Sequence, residues 1–314
     1  MKKIVVFDPT VVTDNLGDFI ILDSIRSHLH SLFPDDFFYT VPTHERISSI
    51  SRRIVADSAY KFVAGTNMLS SHFWWYRQWK IGMADIIGLS DCILFGIGWH
   101  KYQSKPDPAS AFIYKKVLHN TLAHSVRDKY TEKQLNSIGL DNVIYTGCPT
   151  MWRLTPDHIH AIPRSRARAA VVTVTEYLRD ESIDKAWVDV VLEQYEEVYF
   201  WTQTFNDLAY AKELFGSRLK VISPTLSAYD EFLDTHDVDY IGTRLHGGVR
   251  ALQKKRRTMI LQVDNRAREI ARDTGLPSLP REDASELLSW INGNGTLEII
   301  MPWDNIQKWK NQFV

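Results

Sequence analysis

The sequence predicts an α/β protein of two doubly wound parallel-sheet domains that face each other across a cleft. Three observations carry this prediction. Short apolar runs alternate with segments of helical period along all 314 residues, which is the pattern of repeated βαβ units. The alternation breaks once, over 152–168, where Thr155-Pro156-Asp157, Pro163 and Arg164-Ser165-Arg166 read as a linker. The length also suits two domains of about 150 residues each.

Each element follows from its own residues. Ile4-Val5-Val6-Phe7 makes an opening strand over 3–7, and Ile21, Ile25, Leu29 and Leu32 set one apolar stripe on a helix over 17–33. A strand at 37–41, a helix near 44–55, a strand at 60–64, a helix over 75–89 and a strand at 91–95 follow. Asp107-Pro108 is an N-cap with Pro at the first helical position, opening a helix that runs to 119. Strands at 123–126 and 143–145 flank a short helix at 131–138. Beyond the linker come strands at 169–174, 197–201, 219–222, 238–241 and 258–261. Helices at 183–195, 208–215 and 228–235, from 246, and near 266–274 alternate with them. Late helices at 283–292 and 304–312 follow Pro280 and Pro302. The expected domains are therefore 1–155 and 156–300, with 301–314 as a C-terminal helix packing back on the first.

Composition removes whole classes of function. With 44% hydrophobic and 24% charged residues the chain is neither disordered nor fibrous. A formal net charge of −1 gives no reason to expect nucleic acid as a partner. No apolar run approaches the roughly 20 residues of a membrane span, and Asp8 and Asp14 break any leader-peptide core. Cys92 and Cys148 form no metal-type spacing and no disulfide framework, which fits a cytoplasmic setting.

In open α/β sheets ligands bind beyond the carboxyl ends of the strands, so the residues just after strands carry the functional information. Asn15-Leu16-Gly17-Asp18 stands where the first helix begins; free N–H groups and Asp18 suit an anion or a sugar hydroxyl, while capping explains the same residues structurally. Gly65-Thr66-Asn67 and Gly96-Ile97-Gly98 end two strands without completing a dinucleotide fingerprint. Arg127-Asp128 follows another strand and suits either bidentate recognition of an oxyanion or a loop-closing ion pair. Gly242-Thr243-Arg244-Leu245-His246-Gly247-Gly248 is the most informative run, because a guanidinium, an imidazole and a helix N-terminus converge there. Asp264-Asn265-Arg266 repeats the arrangement one strand later. The aromatic run Phe73-Trp74-Trp75-Tyr76 with Trp79, and the basic run Lys254-Lys255-Arg256-Arg257, read either as core and solvated helix end or as surfaces for sugar or anionic lipid.

Taken in order, Asn15-Leu16-Gly17-Asp18, Gly65-Thr66-Asn67, Ser125-Val126-Arg127-Asp128, Gly147-Cys148-Pro149-Thr150, Arg244-Leu245-His246 and Arg266 resemble the motif series of the polysaccharide pyruvyl transferase family. The resemblance implies the two Rossmann-like domains of the GT-B fold. It also implies transfer of pyruvate from phosphoenolpyruvate onto two hydroxyls of one sugar, giving a pyruvate ketal on a cell-surface polysaccharide or its lipid-linked precursor. Under this reading His246, Arg127 and Arg266 are catalytic, with His246 as proton donor to the methylene carbon. Arg244, Gly247 and Asn265 hold the donor, and Asn15, Gly17, Asp18 and Asn67 hold the acceptor. No metal and no organic cofactor is required. The expected partners are phosphoenolpyruvate and a glycan or lipid-linked oligosaccharide, with peripheral membrane contact if the acceptor is lipid-linked. The rival on the same scaffold is a nucleotide-sugar glycosyltransferase, for which Asp264 and Tyr240 are the candidate ribose and base contacts.

Overall fold

The computed structural model describes residues 1–76 and 78–314. Its contacts divide the chain into two units. The first is Met1–Thr13 with Ile21–Pro149 and Met301–Val314, and the second is Asp14–Ile20 with Thr150–Ile300. The boundary thus falls at 149/150, not 155/156, and Asp14–Ile20, expected in the first domain, groups with the second.

In the first unit, β1 (Lys3–Asp8) leads to α1 (Leu16–Leu32), of which Leu16–Ile20 group with the second unit, and then to β2 (Phe37–Pro42), α2 (Ser49–Ala56) and β3 (Tyr60–Ala64). Next come α3 (Met83–Gly88), β4 (Cys92–Phe95), α4 (Pro108–Val117), β5 (His124–Val126), α5 (Lys129–Asn136) and β6 (Val143–Tyr145). Four strands pair in parallel in the order β2-β1-β3-β4, and β5 pairs with β6. The Gly96 N–H carries the pattern across to Ser125 O at 3.0 Å. The order reverses between β1 and β3, which is the switch point of a flavodoxin-like sheet. Apolar residues of β1, β3 and β4 are wholly buried and pack with Phe73, Trp79, Trp99 and Tyr114.

The second unit runs through α6 (Pro156–His160), β7 (Ala169–Thr173), α7 (Glu181–Gln194), β8 (Glu197–Trp201), α8 (Asp207–Phe215), β9 (Leu219–Ile222) and α9 (Leu226–Thr235). It continues with β10 (Val238–Gly242), α10 (Leu245–Gln253), β11 (Thr258–Gln262), α11 (Asn265–Thr274), β12 (Ser278–Pro280) and α12 (Ala284–Asn292). All six strands are parallel in the order β9-β8-β7-β10-β11-β12. Numbered within the unit this is 3-2-1-4-5-6, the order of a dinucleotide-type Rossmann sheet, with its switch point between β7 and β10. Its core gathers Trp187, Phe200, Tyr210 and Leu287. The last helix, α13 (Trp303–Asn311), belongs to the first unit, where Trp309 is buried 4.4 Å from Phe95 between ring centroids and donates to Ala123 O at 2.9 Å.

Some sequence expectations are corrected here, and for others one of two readings is selected. The helix expected over 75–89 is only Met83–Gly88, and Arg77 lies outside the described residues. Residues 78–82 are loop, and the Lys80 N–H bonds to Thr43 O at 2.7 Å instead of to a helical carbonyl. The linker contains α6, since Thr155 accepts from the His158 N–H at 3.3 Å and Pro156 follows it, an N-cap with Pro at the first position. The aromatic run divides: Phe73 and Trp79 are core while Trp75 is 91% exposed. The basic run is a helix end matched by acids, with Lys254 on Asp234, Arg256 near Asp237 and Arg257 on Asp239. Among the described residues no helix is long and apolar enough to cross a membrane.

Candidate active site

At the switch point of the second unit, the carboxyl ends of β7, β8, β10 and β11 deliver the side chains that matter. Arg244 ends the turn after β10. Its Nε donates to Val174 O at 2.9 Å and Asp207 Oδ2 at 3.0 Å, and its Nη2 donates to Thr204 Oγ1 at 2.8 Å and also to Asp207 Oδ1. Both members of this ion pair are buried. The Arg244 carbonyl accepts from the Tyr240 hydroxyl at 2.6 Å. Burial raises the Tyr240 pKa, so the phenol stays protonated and keeps donating.

Tyr177, after β7, joins two arginines. The Arg244 guanidinium lies 4.9 Å from the centre of its ring, and Arg266 Nη2 donates to its hydroxyl at 3.1 Å. Arg266 also donates through Nε to Asp264 Oδ2 at 2.7 Å, while Asp264 Oδ1 caps α11 by accepting from the Arg266 N–H at 2.8 Å. Burial opposes the charge on Arg266, but Asp264 and the Tyr177 hydroxyl outweigh it, and its pKa stands above the ordinary value. The Arg266 side chain keeps 25% exposure, against 3% for Arg244. Of the two cations, Arg266 is therefore the one a ligand can reach.

His246 lies buried in the first turn of α10, beside Gly247, whose carbonyl accepts from the Tyr229 hydroxyl at 3.0 Å. The glycines let this helix lie close on the sheet: a Cβ at Gly248 would come within 2.6 Å of Ile260 and 2.8 Å of the Tyr240 ring. Asn265 opens α11 next to Asp264.

The start of α1 belongs here too. Leu16 N–H donates to Gln203 O at 2.8 Å, Gln203 Nε2 donates to Asn15 Oδ1 at 2.9 Å, and Phe205 N–H donates to Asp14 Oδ2 at 3.1 Å. Asn15 Oδ1 also accepts from the Gly17 N–H at 3.1 Å. Gly17 is needed for the close approach, because a Cβ there would stand 2.6 Å from Gln203 Nε2. Asp18 sits in the first turn of α1, half-buried.

The first unit brings Asn67 and Arg127 together. Arg127 is buried and donates through Nη2 to Asn67 Oδ1 and through Nε to Asp128 Oδ2 at 3.2 Å. Gly98 makes room for this guanidinium, since a Cβ there would lie 2.2 Å from its Cζ. That glycine clears a protein group rather than a ligand. Thr66, beside Asn67, holds a left-handed φ of 71°, and its buried Oγ1 has no hydrogen-bond partner among the described residues.

The structure thus gathers Asn15, Gly17, Arg244, His246, Gly247, Asn265 and Arg266 within the second unit, and Asn67 with Arg127 in the first. Sequence reasoning missed Tyr177, Gln203, Phe205 and Asp207. All four follow strands, Tyr177 after β7 and the others after β8, and the rule that led to Arg244 reaches them as well. Among the described residues no group of three His, Cys, Asp or Glu side chains is placed to hold a metal ion. A cavity of about 440 Å³ in the second unit is walled by Arg257, Trp290, Leu276 and Glu298 and includes neither Arg244 nor His246.

The chain is similar to the UDP-GlcNAc 2-epimerase of Methanocaldococcus jannaschii, solved with UDP-GlcNAc and UDP. The identity is 10% over 99% of this chain and 98% of that one, with a TM-score of 0.56. It is also similar to MnaA of S. aureus in a UDP co-structure, at 12% identity over 100% of this chain and 98% of that one, with a TM-score of 0.54. At such identities the likeness is one of fold, the paired Rossmann-like units of the GT-B class. No curated protein matches the chain. The polysaccharide pyruvyl transferase family model matches residues 15–265, from the Asn15 motif through Arg244-Leu245-His246 to Asn265, and the chain belongs to that family.

Proposed function

We propose that this enzyme transfers pyruvate from phosphoenolpyruvate onto two hydroxyls of one sugar in a glycan or lipid-linked oligosaccharide. The observation that carries the proposal is the meeting of Arg244 and Arg266 on Tyr177, with His246 in the first turn of α10, two residues after Arg244. The donor is doubly anionic, and the more exposed Arg266 with the N-termini of α10 and α11 suits its carboxylate and phosphate. Gly247 and Asn265 would present those N–H groups. Arg244, held by Asp207, Thr204 and Val174, acts by fixing the turn that presents His246, with its guanidinium 4.9 Å from the centre of the Tyr177 ring. Arg127 and Asn67 act in the first unit as a positioning pair.

In the reaction, His246 gives a proton to the methylene carbon, and the neighbouring carbon becomes electrophilic. One sugar hydroxyl adds there and loses its proton, the C–O bond to phosphate breaks, and the second hydroxyl closes the ketal as its own proton leaves. One phosphoenolpyruvate and two hydroxyls yield one ketal and one phosphate. Asn15 and Asp18 hold the acceptor near the start of α1. No step calls for a metal or an organic cofactor.

Phosphate release from phosphoenolpyruvate, measured with candidate lipid-linked oligosaccharides, tests the reading. Release that depends on the acceptor is expected, together with thermal stabilisation by phosphoenolpyruvate. Stabilisation by UDP, GDP or CMP sugars alone would favour the nucleotide-sugar glycosyltransferase and overturn the proposal.

A further inference from the structure

The loop after β8 carries a hydrogen-bonding logic of its own. A backbone N–H can only donate, so the Asn15 atom 3.1 Å from Gly17 N is its oxygen. That oxygen can only accept, so the Gln203 atom 2.9 Å away is its nitrogen. The Gln203 amide is thereby fixed, and its carbonyl Oε1 is turned away from Asn15. Gln203 is 4% exposed, and its Oε1 has no hydrogen-bond partner among the described residues. Oε1 lies 3.5 Å from the point where a side chain on Gly247 would begin. A buried acceptor left unmet is costly, and a donor that reached Oε1 would remove that cost.

Such an oxygen welcomes a hydroxyl and refuses carboxylate or phosphate, which are themselves acceptors. Two residues on, Phe205 is 84% exposed although its N–H is pinned by Asp14. A large apolar ring on a tethered loop suits the C–H face of a pyranose. We infer that the loop 202–205 recognises a sugar ring, with Phe205 stacking on its face and Gln203 Oε1 accepting one of its hydroxyls as the loop opens. This rests on the glycan-acceptor reading above and adds Gln203 and Phe205, after β8, to Asn15 and Asp18 as side chains of the second unit that meet the sugar.

Saturation-transfer NMR on the full chain tests it, using the methyl glycosides of galactose, glucose, mannose and N-acetylglucosamine, with phosphoenolpyruvate and UDP as separate probes. At least one glycoside should bind. Phe205→Ala and Gln203→Leu should each raise its dissociation constant tenfold or more, and that of phosphoenolpyruvate less than twofold. Phe205→Ala changes only an exposed ring, so it reports on the loop even if Gln203→Leu loosens the start of α1. No glycoside binding to the unaltered chain, or variants that bind as it does, overturns the inference. So does a Phe205→Ala effect confined to UDP. If glycosides behave as expected but phosphoenolpyruvate does not bind, the donor reading falls and the loop assignment stands.

Discussion

Arg244 and Arg266 are the same residue type, one strand apart, and their surroundings give them opposite sensitivities. Replacing Arg244 by Ala leaves Asp207 buried and uncompensated, a loss of about 3–5 kcal/mol that urea denaturation will register. Arg266→Ala removes a partly exposed pair member and should cost less stability than Arg244→Ala, while weakening phosphoenolpyruvate binding in calorimetry. His246→Ala should cut turnover by about 10²–10⁴-fold, the range of a lost general acid, with donor affinity nearly unchanged. An equal loss of binding in the His246 and Arg266 variants would refute the assignment of proton transfer to His246. The sequence made Arg244 and His246 legible because strand end, helix start and reactive side chain coincide in seven residues. It hid the fact that Arg244 is held by Asp207, because that contact spans a separation of 37 residues. Gln203 was hidden for a similar reason: nothing local marks a glutamine whose partner, Asn15, is 188 positions away.

Among the elements, β5 carries a titratable group placed for stability. His124 is fully buried; its Nδ1 accepts from the Leu94 N–H at 3.2 Å, so Nε2 holds the proton and donates to His119 O at 3.0 Å. Burial lowers its pKa from 6.5 to about 4. In the unfolded chain the ring takes up a proton as pH falls through 6.5, whereas in the folded chain it stays neutral down to about 4. Stability should therefore fall across that window by about 3 kcal/mol. Denaturation midpoints compared at pH 7 and 4.5 check this, and His124→Gln, which keeps a donor and an acceptor without titrating, should flatten the curve. In α10, Gly248→Val drives a branched side chain into Ile260 and Tyr240 and should cost about 1–3 kcal/mol by thermal unfolding. Elements with strong periodicity, such as α1 and β3, were readable from their own residues. The stretch 75–89 misled because its backbone bonds to the distant Thr43 turn, and Thr155-Pro156 served as both a break and a helix start.

At the scale of the molecule, the alternation of apolar runs was enough to announce two parallel sheets, because strands buried on both faces need a crossover helix between each pair. The strand orders, 2-1-3-4 in one unit and 3-2-1-4-5-6 in the other, were not written locally, since neighbours are chosen by packing across whole sheets. The C-terminal stretch contributes to the first unit through Trp309, and Trp309→Ala should cost about 3–5 kcal/mol, read as a lower unfolding temperature. The backbone passes from one unit to the other at 13/14, 20/21, 149/150 and 300/301, so neither unit is a contiguous stretch of sequence. A gene cut at the crossing after codon 149 would part Gln203 from the asparagine that orients its amide. Chimaeras joining the front half of one relative to the back half of another would thus inherit a mismatched start of α1, and an exchange that keeps the sugar-reading loop intact must carry residues 14–20 along with it.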